Sequence, residues 1–90
     1  MMLEAIGSAA MLEQLAEEAA ELAQAALKVA RILRDDNPTP ITLPEASAAL
    51  IEEHTDVAQC AGEMGLGVDF KQMQDKLERF KKRARAVRKL

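Results

Sequence analysis

The same acidic pattern occurs twice in this chain, each time inside an alanine-rich segment with helical periodicity. Residues 16–21 read Ala-Glu-Glu-Ala-Ala-Glu, and residues 51–56, 35 positions further on, read Ile-Glu-Glu-His-Thr-Asp. Both copies put carboxylates where an amphipathic helix would carry apolar side chains. Two such helices packed against each other can gather four carboxylates at one point. The pattern therefore favours an all-helical fold with a site for a hard divalent cation.

Three helices are predicted, with no candidate strand. The first runs from about Leu3 to Leu33, with an apolar stripe that recurs every three or four residues. Residues 1–8 form a lead-in because Gly7 and Ser8 can break the helix. The stripe of this helix consists of Met11, Leu15, Leu22, Ala25, Val29 and Leu33.

A proline-rich loop, residues 35–43, separates the first helix from the second. Thr42 and Glu45 resemble a capping box at the start of the second helix, which runs from about Pro44 to Met64. Gly65 can adopt the left-handed conformation that ends a helix, and Asp69 can cap the third one. The basic end of the third helix, residues 84–90, is expected to fray as a tail. The second stripe consists of Ala46, Leu50, Glu53, Val57, Cys60 and Met64.

The size and composition of the chain predict one helical domain, residues 1–90, that oligomerises. Two Phe, no Trp and no Tyr leave little large apolar surface for a core of its own. The single cysteine, Cys60, excludes an intramolecular disulfide and suggests a cytoplasmic protein. No apolar run reaches the length of roughly 20 residues that a membrane span needs, and the N-terminus lacks the pattern of a signal peptide.

Charge is divided along the chain. Residues 1–69 carry 13 acidic and 3 basic side chains, a net charge of −10, whereas residues 70–90 carry 2 acidic and 9 basic ones, a net charge of +7. The basic part suits anions such as phosphates. Direct binding of nucleic acid is not expected, because the basic run lacks interleaved aromatics and the rest of the chain is acidic.

The helical phase gives the carboxylates different positions. With Leu15 as the reference, Glu18 lies about 60° away on the buried stripe, and Glu21 lies about 120° away at its edge. Glu17 points well off the stripe. The second copy repeats this geometry, with Glu53 on the stripe and Asp56 at the edge. Four carboxylates favour Mg²⁺ or Mn²⁺ over Zn²⁺, and a magnesium ion held in this way usually also binds substrate phosphates.

The acidic pair, Glu-Glu-x-x-Glu followed by Glu-x-x-Asp at residues 17–21 and 53–56, resembles the signature of the MazG-like all-α nucleoside triphosphate pyrophosphohydrolases. The resemblance covers about residues 12–85 and includes the basic third helix. It implies an antiparallel helix pair that forms four-helix bundles as a homodimer or homotetramer. The implied reaction is Mg²⁺-dependent cleavage of a nucleoside triphosphate to the monophosphate and pyrophosphate, in nucleotide house-cleaning or pool control.

The resemblance also implies roles for single residues. Glu17 would be an accessory catalytic acid, and the basic helix would hold the substrate phosphates. The metal ligands would be Glu18, Glu21, Glu53 and Asp56, and the phosphate contacts would be Lys76, Arg79 and Arg83.

The alternative function is a non-catalytic helical-bundle interaction module with a structural cation. The remaining conspicuous residues have ordinary structural interpretations that compete with functional ones. His54 is expected to be a flanking polar residue, and Cys60 a small core side chain. Phe70 and Phe80 are expected to pack in a core rather than to stack on a base.

Overall fold

Three α-helices make up the protein in the computed structural model, which describes residues 6–36 and 40–88. Helix α1 spans Ser8–Leu33, α2 spans Leu43–Glu63 and α3 spans Phe70–Arg88. The two described ranges contain no strand. The all-helical prediction is therefore confirmed. Residues 1–5, 37–39 and 89–90, which include parts of the predicted lead-in, loop and tail, lie outside the described residues.

Side-chain caps set the starts of α2 and α3. Thr42 Oγ1 accepts a hydrogen bond from the backbone N–H of Glu45 at 3.3 Å and donates one to Glu45 Oε1 at 3.0 Å. At α3, Asp69 Oδ1 accepts from the backbone N–H of Gln72 at 3.0 Å. These bonds satisfy N–H groups that the first turn of a helix leaves unpaired, and they confirm both predicted caps.

Two glycines with positive φ mark helix boundaries. Gly7, with φ of 85°, precedes α1, which therefore begins at Ser8 rather than near Leu3. Gly65, with φ of 70°, follows α2, and the N–H of Leu66 reaches back to the carbonyl of Ala61 at 3.0 Å. The left-handed cap predicted at Gly65 is thus present.

Helices α1 and α2 form an antiparallel hairpin. Near the start of α1, the Met11 carbonyl lies 3.8 Å from the Sγ of Cys60 near the end of α2. At the other end of the hairpin, Arg31 of α1 and Ala46 of α2 line one groove. The residues that face the partner helix recur at alternating steps of four and three, and we call them the seam. On α1 the seam is Met11, Leu15, Glu18, Leu22, Ala25, Val29 and Ile32; on α2 it is Ala46, Leu50, Glu53, Val57, Cys60 and Met64.

The prediction that Leu33 belongs to the stripe that faces α2 is wrong. Leu33 is 69% exposed, and Ile32 is the half-buried residue at that end of α1. The difference arises because two packed helices stay in contact along a repeat of 3.5 residues, whereas a single straight helix repeats every 3.6. Over the three heptads from Met11 to Ile32 the drift adds up to about 60°, more than half of the roughly 100° between successive residues.

A single copy of the chain has a very small core. Among the described residues only Met11, Ala46 and Cys60 are buried, which confirms the core position predicted for Cys60. The radius of gyration is 17.0 Å, against about 12 Å for a compact chain of this length. The accessible surface of 7255 Å² exceeds the roughly 5,200 Å² expected for 9.8 kDa. A single copy therefore exposes an unusually large surface to water.

Helix α3 accounts for much of this exposure. It makes almost no contact with α1 or α2, and all its side chains from Phe70 to Val87 are exposed. The core positions predicted for Phe70 and Phe80 are wrong for a single copy, since these rings are 76% and 69% exposed. The physical reason is that α3 leaves the hairpin instead of folding back onto it. The helix continues through residues 84–88, the first part of the predicted tail.

None of the described helices has the length and hydrophobicity to cross a bilayer.

Candidate metal centre

Two glutamates interrupt the seam at the middle of the hairpin. Glu18 on α1 and Glu53 on α2 are half-buried, whereas Glu17 and Glu52, one position earlier on each helix, are exposed. Glu18 Oε1 accepts a hydrogen bond from Gln14 Nε2 at 2.8 Å, one turn earlier on the same helix. The phase of each helix, set by its apolar neighbours, thus directs both carboxylates into the contact between the helices.

Three carboxylates converge at this point. One oxygen from each of Glu18, Glu53 and Asp56 lies within 4.8 Å of the other two. Oxygens this close can bind a single cation, because Mg²⁺ and Ca²⁺ ligands sit about 2.0–2.6 Å from the ion. The two residues from α2 are three positions apart and so lie one above the other on the helix surface. Antiparallel packing brings Glu18 across from them.

Glu21 belongs to the same group through Glu53. Burial raises the pKa of the Glu53 carboxyl, and the nearby negative charge of Glu21 raises it further. A hydrogen bond that the protonated Glu53 carboxyl donates to Glu21, together with the charges of Asp56 and Glu18, acts in the same direction. All four carboxylates that the sequence selected therefore interact around Glu53. Their assignment as metal ligands remains a prediction.

Two carboxylates of this group have an oxygen that the protein does not satisfy. Glu18 Oε2 and Glu53 Oε2 are inaccessible to solvent and have no hydrogen-bond partner among the described residues, and the same holds for Glu63 Oε2 in the groove that Glu18 lines. Leaving a charged, desolvated oxygen without a partner is costly. A divalent cation among the carboxylates would reduce the repulsion between them. An all-oxygen donor set without thiolate or imidazole fits Mg²⁺ or Mn²⁺.

Two grooves flank the carboxylates on one side of the hairpin, which we call the acidic face. One groove, of about 390 Å³, includes Glu21 and Glu53 in its lining, and the other, of about 250 Å³, includes Glu18 and Asp56. Both grooves are lined mainly by residues that directly precede seam positions. Such residues from α1 and α2 share one side because the helices run in opposite directions. The larger groove lies within the usual size range of small-molecule sites, about 300–1,000 Å³.

Lys28 and Arg31 are candidate functional residues that the sequence analysis missed. Both line the larger groove together with Glu21 and Glu53. They place cationic groups beside the carboxylates, as binding of a metal-complexed phosphate requires. The available signal was their spacing, since Glu21, Gln24, Lys28 and Arg31 recur at steps of three and four and so share one face of α1.

The other predicted site residues lie elsewhere. Glu17 is exposed and lines neither groove. The predicted phosphate contacts on α3 line a separate concavity with Phe80 and, within one copy, are not brought to the carboxylates. His54 is exposed, as predicted for a flanking polar residue. The residues of that concavity are Lys76, Arg79, Phe80 and Arg83.

Comparison with known proteins gave no match to a family model, to a curated protein or to a solved structure.

Proposed function

We propose that this chain is a Mg²⁺-dependent nucleoside triphosphate pyrophosphohydrolase of the MazG-like type, cleaving its substrate to the monophosphate and pyrophosphate. The observation that carries the proposal is the convergence of Glu18, Glu53 and Asp56, whose oxygens lie within 4.8 Å of one another. Two of these residues keep a buried oxygen without a partner in the described part of the chain. A helix contact that needed only stability would place apolar side chains there.

The metal would be held by Glu18, Glu53 and Asp56, with Glu21 as the fourth carboxylate. A bound divalent ion supplies charge neutralisation for the triphosphate and activation of water for attack on phosphorus. A cation binds the deprotonated carboxylate of Glu53, so metal binding and deprotonation of this group are coupled. Glu21 lies close enough to Glu53 for its negative charge to raise the pKa of the Glu53 carboxyl. Glu17 would assist from the exposed side as an accessory acid.

Lys28 and Arg31 would bind the substrate phosphates in the larger groove. They line the same groove as two of the carboxylates, and cationic groups there stabilise the negative charge of the outgoing pyrophosphate. The residues implied by the resemblance, Lys76, Arg79 and Arg83, would have to come from a second copy to reach this groove. Replacing Lys28 by Gln and, separately, Arg79 by Gln distinguishes the two sets by their effects on KM for the nucleotide.

The oligomeric state is a homodimer or homotetramer in which copies complete each other's helical bundle. The surface left exposed by a single copy supports this part of the proposal, because it exceeds that of a compact protein by about 2,000 Å². The resemblance implies that the bundles contain four helices.

A nucleotide panel tests the activity. The purified protein is incubated with canonical and damaged nucleoside triphosphates in Mg²⁺, and in Mn²⁺ separately, and pyrophosphate release is measured. At least one nucleotide should be turned over, and Glu53→Gln should abolish the reaction. Glu52→Gln removes a neighbouring, exposed carboxylate and should leave turnover unchanged. Absence of turnover with every nucleotide and both ions would refute the enzyme proposal.

A non-catalytic interaction module with a structural cation is the second candidate, favoured by the exposed apolar side chains of α3. Thermal melts in Mg²⁺, with and without a non-hydrolysable triphosphate, separate the two functions. The enzyme gains stability from the nucleotide because only its folded state binds it. An interaction module gains stability from Mg²⁺ alone.

A further inference from the structure

The smaller groove of the acidic face contains side chains to which the proposed reaction gives no role. Its volume is about 250 Å³, which equals roughly eight water molecules at about 30 Å³ each. This is room for a nucleobase but not for a whole nucleoside triphosphate. The buried side chains of Met11 and Cys60 form an apolar floor. The walls are polar and consist of Gln14 and Glu18 from α1 and Asp56, Gln59 and Glu63 from α2.

Glu63 adds an unsatisfied carboxylate to this groove. Its Oε2 is inaccessible to solvent and has no hydrogen-bond partner in the described part of the chain. The hydrogen bond that its Oε1 accepts from Gln59 Nε2 is long, at 3.5 Å. Seven residues separate Glu63 from Asp56, which places it about 10 Å further along α2, too far to bind the same ion. An acceptor left unpaired costs free energy, and a ligand that donates N–H groups here would recover that cost.

The order of features along the hairpin matches the order of groups in a nucleotide. The larger groove is lined by residues from 21–31 and 46–53, and the smaller one by residues from 11–18 and 56–63, so the metal-binding carboxylates lie between them. Cleavage to the monophosphate and pyrophosphate requires the bond between the α and β phosphates to lie at these carboxylates. With the outgoing pyrophosphate beside Lys28 and Arg31, the nucleoside extends into the smaller groove.

We propose that the smaller groove binds the base of the nucleotide and that Glu63 makes guanine the preferred base. The inference rests on the proposed function, because it takes the position of the phosphates from it. A carboxylate only accepts hydrogen bonds. The pairing edge of guanine presents two adjacent donors, the N1–H and the 2-amino group. The two oxygens of Glu63 can accept from both, as a carboxylate does from the parallel N–H groups of an arginine.

The other common bases match Glu63 less well. Adenine and cytosine each present one amino group beside a ring nitrogen that accepts, and this nitrogen would face a carboxylate oxygen. Uracil and thymine present one N–H between two carbonyl oxygens. In each case an acceptor of the protein is set against an acceptor of the base and stays unpaired. Unpaired polar groups of this kind are what give hydrogen-bonding sites their strong selectivity.

The side chain of Glu63 can turn to meet the base. Glu63 is the last residue of α2, and the terminal torsion of a glutamate side chain is broad, with two nearly equivalent settings. Rotation about this bond brings Oε2 out of its inaccessible position and into the groove. Gln59, one turn earlier on α2, donates to the other oxygen and so holds the carboxylate on this wall.

Base recognition in this groove is compatible with the proposed oligomer. Every residue that lines the groove belongs to α1 or α2, so recognition does not depend on where α3 packs. The base is bound in the same way whether Lys28 and Arg31 or the α3 helix of a second copy hold the phosphates in the larger groove.

Binding of non-hydrolysable nucleotides tests the base preference. The α,β-methylene analogues of GTP, ATP, CTP and UTP are titrated into the wild-type protein in Mg²⁺, and calorimetry measures each Kd. The GTP analogue should bind roughly ten- to a hundredfold more tightly than the other three, the effect of one good pair of hydrogen bonds to a base edge. The inosine triphosphate analogue, which lacks the 2-amino group, should fall between the GTP and ATP analogues. Equal affinities, or tightest binding of another base, would overturn the proposal.

Glu63→Gln should change the base preference rather than abolish binding. An amide offers one donor and one acceptor, which match the amino group and the neighbouring ring nitrogen of adenine. We expect the affinity for the GTP analogue to fall by about tenfold or more and that for the ATP analogue to rise above it. Glu52→Gln, at an exposed position of the same helix outside both grooves, should keep the guanine preference. Circular dichroism checks that each variant retains its helices.

An equal loss of affinity for all four analogues in Glu63→Gln would show that the charge, and not the base edge, matters, and it would overturn the proposal. An unchanged preference for guanine in this variant would do the same. If Glu63→Gln does not fold, the comparison of the GTP, inosine triphosphate and ATP analogues with wild-type protein decides.

Binding and turnover together separate this inference from the proposed activity. Turnover of GTP and ATP with equal KM would leave the pyrophosphohydrolase in place and refute base recognition by Glu63. A guanine preference in binding, without release of pyrophosphate from any nucleotide, would support the recognition and refute the activity. Failure of every analogue to bind in Mg²⁺ would contradict both.

Discussion

Replacing Glu53 by Gln should make the protein more stable in the absence of a cation and should remove its stabilisation by Mg²⁺. In wild-type protein the carboxylates around Glu53 repel one another when no ion is present, and an ion at ten times its Kd would stabilise the fold by about 1.4 kcal/mol. For a chain of 90 residues this corresponds to an increase in Tm of roughly 6–11 °C. Glu53→Gln removes one ligand and the charge at the centre of the cluster. Its Tm in EDTA should therefore exceed that of the wild type, and its response to Mg²⁺ should disappear.

The assay is thermal unfolding followed by circular dichroism at pH 7, in EDTA and over a series of Mg²⁺ concentrations. Glu52→Gln is the matched control because the same substitution is made one residue earlier, at an exposed position. It should respond to Mg²⁺ as the wild type does. A Glu53→Gln variant that is less stable than wild type in EDTA, or that keeps the full increase in Tm with Mg²⁺, would refute the reasoning.

Three further predictions concern pH and the helical scaffold. Because the pKa of Glu53 is raised in the folded state, the contribution of this carboxyl to stability is fully present below its ordinary pKa of 4.5 and is lost as pH rises through the raised value. In EDTA the Tm advantage of Glu53→Gln over wild type should therefore grow from pH 4 to pH 8. A difference in Tm that stays constant over this range would contradict the argument. Met11→Ala removes a side chain that is 1% exposed and should lower the free energy of unfolding, measured in urea, by about 2–5 kcal/mol. Met11→Leu should lower it by less than about 1.5 kcal/mol. Equal losses in the two variants would argue against close packing around Met11. Thr42→Ala removes the cap that binds the N–H of Glu45 and should cost about 0.5–2 kcal/mol in the same assay, with Thr42→Ser retaining most of that stability.

The sequence was sufficient where local chemistry decides the structure. The caps at Thr42 and Asp69 and the left-handed Gly65 follow from side-chain hydrogen bonds and backbone sterics, which act over a few residues. The approach of Glu18 to Glu53 could also be predicted, because both lie in phase with apolar residues that must face the partner helix. These predictions needed no knowledge of the distant parts of the chain.

The sequence was insufficient where a surface has more than one partner to choose from. The periodicity of α3 shows that Phe70 and Phe80 lie in one apolar row, but it does not tell whether that row packs on the same copy or on another. Lys28 and Arg31 were missed for a related reason. Arg31 lies in the last turn of α1, where a basic residue also interacts favourably with the helix dipole. The place of Lys28 and Arg31 in a groove emerges only when α2 is packed beside α1.

A crystal structure of the protein with Mn²⁺ and a non-hydrolysable nucleoside triphosphate tests the central claim most directly. Anomalous scattering locates the ion independently of how the protein is built into density. The account predicts an anomalous peak among the carboxylates of Glu18, Glu53 and Asp56, with the triphosphate in the groove that Lys28 and Arg31 line. Saturating Mn²⁺ that gives no peak at these carboxylates, or a nucleotide bound away from the acidic face, would contradict it.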